Sequence, residues 1–265
     1  MSLSLAVTLG VLGFAGAVVA GLLGVGGAIL MIPLLLYVPA WLGVAVLDMK
    51  TVAAVSIVQV FFAALSGVIA HGRRGAVNKS LALLAGGSAA AGALLGGVAS
   101  RWCSPWALQL VFALMATLGA ALLLAAPSER ETPAGHTQGP APFNRPLAAA
   151  VGFSVGVMGG LVGAGGAFIL VPLLITVVGI PTRMTIGSSL AITLWTGAMG
   201  FLGKLATGQI PFALAAPLVL GAIPGAQVGE RIARRLGIRT LRGLLAAITG
   251  LVALRIWIDV LVPLR

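Results

Sequence analysis

The residues best suited to chemistry lie in two short stretches: Gly24, Val25, Gly26, Gly27 and Ala28, and Gly163, Ala164, Gly165, Gly166 and Ala167. Each leads into an apolar run able to form a helix. Glycine costs about 1 kcal/mol relative to alanine inside a helix, so clusters this rich in it mark a break. The arm that starts after a break has N-terminal N–H groups with no acceptor in their own helix. Those groups carry partial positive charge and are a natural seat for an anion. Pro33 and Pro172, six residues beyond each cluster, free further backbone groups and can kink the second arm. The competing reading is that the glycines only permit close helix packing, as many others in the chain must.

Polar side chains in the neighbouring apolar runs extend the candidate site. They are Ser56 and Gln59, after Thr51, in the first half, and Ser188, Ser189 and Thr193, after Thr185, in the second. Hydroxyls and amides coordinate oxyanions, although serine and threonine also bond back to their own helix. Lys50 and Arg183 open these runs and are placed to attract or gate an anion, or to snorkel to an interface.

Other chemistries find little material. The five acids are Asp48, Glu129, Glu131, Glu230 and Asp259, none at the centre of an apolar run. Asp259 follows Arg255 by four residues, the spacing of a helical ion pair, and Glu230 sits among arginines. Asp48 and His71 border a run, where a structural role outweighs proton relay. One cysteine, Cys103, and two histidines leave no internal disulfide, metal cluster or Ser-His-Asp constellation, and no P-loop occurs. Neither an enzyme nor a bound cofactor is expected.

The elements that position these residues follow from composition. The chain has 265 residues, 60% hydrophobic and 8% charged, against roughly one-quarter charged in soluble domains. Apolar stretches of about 20 residues, enough to cross a bilayer as helix, recur throughout without the alternation of a membrane barrel. An all-α polytopic membrane bundle follows. The net charge of +11 resides in short loops rather than one basic run, so orientation in lipid, not nucleic acid, explains it. The start of the chain resembles a cleaved leader only superficially, because no basic residue precedes its apolar stretch.

Residues 21–36, GLLGVGGAILMIPLLL, and 160–175, GLVGAGGAFILVPLLI, agree at nine of sixteen positions. The match continues from Lys50 on Arg183 through Ser56 on Ser189 to Arg101 on Arg234. We therefore expect a first repeat over 1–126, a polar cytoplasmic linker over 127–146 and a second repeat over 147–265. Each repeat holds a glycine-broken segment (3–38; 147–178) and three spans, near 49–71, 79–101, 105–126, 183–205, 210–231 and 238–262. The broken segments are too long for one crossing and too short for two, as expected of a re-entrant hairpin.

Charge tests this topology. With each broken segment entering and leaving on one side, the repeats are inverted. Arg73, Arg74, Lys79, Arg130, Arg145, Arg183, Arg231, Arg234, Arg235, Arg239 and Arg242 then lie inside, against Lys50, Arg101, Lys204 and Arg265 outside. Eleven against four fits the positive-inside rule better than the eight against seven of parallel repeats. Inverted repeats are a hallmark of secondary transporters.

The paired GLxGxGGxxxxxP segments, with GSSLAIT at 187–193 and GAQVGERIARRL at 225–236, resemble the TauE/SafE family, the sulfite-exporter-like membrane permeases. The first half departs from the second, with Ala54-Val55-Ser56 in place of Gly187-Ser188-Ser189. The resemblance implies transport, in the export direction, of small sulfur-containing anions such as sulfite or organosulfonates, in a bacterial plasma membrane. Its expected partners are a small anion and membrane lipid, with no nucleic acid; self-association is compatible with the sequence. An anion channel, or a non-transporting sensor that binds the same anion, is the alternative.

Overall fold

The computed structural model describes residues 2–23, 28–71, 79–125, 144–180, 182–233 and 238–261. These form ten helices: α1 (Leu3–Leu23), α2 (Ala28–Trp41), α3 (Met49–His71), α4 (Lys79–Ala99), α5 (Pro105–Ala125), α6 (Arg145–Val162), α7 (Ala167–Thr176), α8 (Thr182–Ala206), α9 (Phe212–Ala233) and α10 (Ile238–Leu261). Expected and observed limits agree to within three residues. The end of the linker differs: Asn144 accepts a hydrogen bond from the Leu147 N–H and Pro146 lies in the first turn, so Arg145 and Pro146 already belong to α6. The rest of the linker lies outside the described residues.

Asp48 likewise accepts from the Thr51 N–H and starts α3, and Ser104 accepts from Ala107 and starts α5. The α3 cap is the structural role open to Asp48. Six helices, α1, α3, α4, α5, α6 and α9, are long and apolar enough to cross a membrane, and α8 and α10 run to 25 and 24 residues. Their outer faces stay apolar. Leu251, Leu254, Ile258 and Leu261 recur along one face of α10, and Val7, Val11 and Phe14 along one face of α1, all exposed. In water such stripes would drive association; in lipid they meet their own kind. The chain is a multi-pass helical membrane protein.

Close packing through glycine sets the helix directions. Gly152, Gly156 and Gly160 of α6 lie against Ala85, Ala89 and Ala93 of α4, and Gly10, Gly13 and Gly21 of α1 against Pro217, Leu218 and Ala226 of α9. Residue numbers rise together, so both pairs are parallel. By contrast Gly197 and Gly200 of α8 meet Phe61 and Ile57 of α3, an antiparallel pair. Helices that match in the sequence duplication therefore exchange partners between halves: α1 packs on α9 as α6 packs on α4, while α3 and α8 cross antiparallel between them.

A second tie joins the halves near one end. The Tyr37 hydroxyl donates to Asp259, Arg255 pairs with the same carboxylate, and the Arg255 guanidinium lies 4.3 Å from the Tyr37 ring centroid. The ion pair expected from spacing is present, and it holds α2 against α10. Asp259→Ala leaves a half-buried guanidinium and a phenol without their acceptor, so a loss of about 1–2 kcal/mol is expected, read as a lower thermal midpoint in detergent.

Candidate functional site

The break between α6 and α7 is built from left-handed backbone. Gly163, Gly165 and Gly166 have φ of +73°, +63° and +71°, a region in which a Cβ is strained. Gly163 ends α6, with its N–H on the Gly159 carbonyl, and Gly166 begins α7 without any side-chain cap. The chain doubles back here: a Cβ on Gly163 would overlap the Ala53 carbonyl, whereas Gly166 has returned to the level of Val155 and Gly159. Ile169 and Leu170 both donate to the Gly166 carbonyl, which leaves the N–H groups of Ala167 and Phe168 at the open end of the helix.

Depth follows from the neighbours. Gly165 lies against Val60, near the middle of α3, and close to Thr193 and Thr196, on either side of the middle of α8. The arms are unequal: α6 has 18 residues, about 27 Å at 1.5 Å per residue, and α7 only ten. α6 thus reaches past the middle of the bundle, and the chain turns back to half depth before α7 starts.

Ala53, Ser56 and Val60 share one face of α3 by their spacing, and the outer two touch Gly163 and Gly165. Ser56 therefore faces the break. Gln59 lies one turn further along. Both side chains are 0% exposed, and among the described residues the Ser56 hydroxyl and both polar atoms of the Gln59 amide have no hydrogen-bond partner. A buried polar group in that state costs about 1–3 kcal/mol. Three such atoms, on the face of α3 that meets the break and one turn beyond it, are polar groups that call for a partner.

The other sequence candidates divide. Ser188, Ser189 and Thr193 are buried on α8, and the Thr193 hydroxyl donates to the Ser189 carbonyl. Ala28 and Ala167 open α2 and α7. Lys50 is drawn to one end of the bundle, its ammonium 2.7 Å from the Arg101 carbonyl. Arg183 lies in the first turn of α8. Gly24, Gly26 and Gly27 lie outside the described residues, as does the side chain of His71.

Two features escaped sequence reasoning. Thr196 donates to the Gly165 carbonyl at 2.8 Å and pins the break to α8. Its signal was its place one turn beyond Thr193. Lys204, counted above among the outer cations, is 0% exposed. Its ammonium donates to Ser100 Oγ at 2.6 Å and to the Leu161 carbonyl, in the last turn of α6, at 3.1 Å. Gln209 completes the network through Ser100 Oγ and the Gly97 carbonyl. Gly97 and Gly203, which bring α4 and α8 close, were its signal.

A membrane bundle with a half-depth helix break and buried polar side chains facing it is the build of a protein that handles a small solute. Residues 9–256 match the model of the sulfite exporter TauE/SafE family, and the chain belongs to that family. A protein of Xylella fastidiosa (strain 9a5c) named "Probable membrane transporter protein" is 31% identical over 260 residues, 97% of this chain and 95% of that one. "Probable membrane transporter protein YdhB" of Bacillus subtilis (strain 168) is 26% identical, with 81% and 84% of the two chains covered. YunE of the same organism, given the same description, is 24% identical, covering 89% and 91%. No solved structure matches the chain significantly.

Proposed function

We propose that the protein is a secondary transporter that exports small sulfur-containing anions, sulfite or organosulfonates, across a bacterial plasma membrane by alternating access. The observation that carries this reading is the α6–α7 break. An uncapped helix start lies at half depth, and the unpaired Ser56 hydroxyl and Gln59 amide stand on the facing helix. Helix-start N–H groups suit an oxyanion, and irregular backbone at this depth is tolerated where it lines a cavity. Gly24, Gly26, Gly27 and Ala28 would form the corresponding wall from the first half, with Gly163, Gly165, Gly166 and Ala167 in the second. Ser188, Ser189 and Thr193 add polar lining from α8, and Lys50 and Arg183 draw the anion to either entrance. The name of the family supports the sulfur, and the bacterial relatives support the membrane.

The antiparallel crossing of α3 and α8 supports inverted repeats, the arrangement that lets two halves trade inward-open and outward-open shapes. Purified protein in liposomes should show saturable flux of labelled sulfite or an organosulfonate, and unlabelled substrate on the far side should accelerate it. Gly165→Leu, which drives a branched side chain into Val60 and Thr193, should abolish that flux in protein that still elutes as a single species. Flux without counterflow would mean a channel; binding without flux would mean a sensor; neither binding nor flux would end the reading.

A further inference from the structure

The two buried side chains that face the break have a definite hydrogen-bonding character. Gln59 presents an NH₂ donor and a carbonyl acceptor, both 0% exposed and both unpaired among the described residues, and Ser56 adds a hydroxyl that donates or accepts. Interchanging the amide O and N leaves this inventory unchanged. An anion that only accepts, such as a sulfite dianion or a plain alkanesulfonate, satisfies the NH₂ and the hydroxyl. It sets its own lone pairs against the Gln59 carbonyl oxygen, which stays buried without a donor.

We infer that the transported species is a monoanion carrying its own O–H donor, which meets Gln59 Oε1: hydrogensulfite or a hydroxy-substituted short sulfonate. This rests on the proposed function above and specifies the substrate of that same site. The acidic oxygens take the α7 N–H groups and the Ser56 hydroxyl, while the donor end is selected by Gln59. Thr193, at a similar depth on α8, has its hydroxyl committed to the Ser189 carbonyl, whereas the Gln59 carbonyl oxygen has no donor among the described residues.

The test compares 2-hydroxyethanesulfonate with ethanesulfonate, which have the same charge and nearly the same size, as substrates of the full chain in liposomes. Wild type should transport the hydroxy compound with kcat/KM about ten-fold or more above the plain one, the ratio expected when a buried acceptor loses its only donor. Gln59→Met keeps the volume without the amide and should bring the ratio to about one, mainly by slowing the hydroxy compound. Gln59→Leu also removes the amide, should give the same ratio near one, and serves if the methionine variant fails to fold. Equal transport of the two compounds by wild type overturns this inference and leaves the proposed function standing. Absence of saturable flux for sulfite and both sulfonates, in protein that is monodisperse and melts cooperatively, overturns the proposed function and this inference with it.

Discussion

Gly163→Ala should abolish the folded protein, whereas Gly208→Ala should barely affect it. Both positions are left-handed, with φ of +73° and +67°, and an alanine there costs about 1–2 kcal/mol in backbone strain. Their surroundings differ. Nothing lies within 4 Å of a Cβ on Gly208, while a Cβ on Gly163 would sit 2.7 Å from the carbonyl carbon of Ala53 and overlap its oxygen. That neighbour is helix backbone and has no rotamer to escape into, so α3 and α6 must separate. Overpacking of this kind adds about 1–3 kcal/mol, and here it falls where the bundle positions its break. Fluorescence-detected size exclusion should show loss of the monodisperse peak for the first variant and a small drop in melting midpoint for the second. Similar behaviour of the two would mean that α3 and α6 are not tightly apposed.

Lys204→Met should leave the protein folded but raise KM for the anion about ten-fold. The ammonium is fully buried, bonded to Ser100 and the Leu161 carbonyl, and no carboxylate pairs with it among the described residues. Burying an unpaired ion costs several kcal/mol, and an apolar residue of similar volume removes that cost. It also leaves the Leu161 carbonyl without its donor, at about 1–3 kcal/mol, so the two effects largely cancel in stability. Binding has no such cancellation. A unit charge about 10 Å from the proposed anion would contribute roughly 1.7 kcal/mol at an effective dielectric of 20, somewhat above ten-fold in affinity. Transport kinetics in liposomes, paired with thermal melting, separate the cases. An unchanged KM with a large fall in melting temperature would make Lys204 a mechanical tie only.

Local composition made some features readable from the sequence and tertiary contact hid others. Helix limits followed from uninterrupted apolar length, and the break followed from three glycines in four residues, because both are properties of a short window. Ser56 and Gln59 stood out as polar groups in an apolar helix, though the absence of any partner is a tertiary fact. The unequal arms were not readable, because the sequence of the segment states its length but not where the chain reverses. The burial of Lys204 was hidden for a related reason. A lysine two residues from a helix end looks the same whether it snorkels outward or turns in. What decides is the approach of Gly97 to Gly203 and Lys204, which closes α4 over it.

The exchange of partners between halves bears on how such a chain could have arisen. The glycine face of α1 is covered by α9 and that of α6 by α4, so a single half would leave its deepest groove bare. Two copies of a half-length chain would cover each other's grooves only if they inserted in opposite orientations. A dual-topology dimer of half-length chains would meet that requirement, and joining two such genes would fix one orientation for each copy. The same logic makes the chain divisible: the two halves, expressed as separate polypeptides, should assemble with each other and not fold alone.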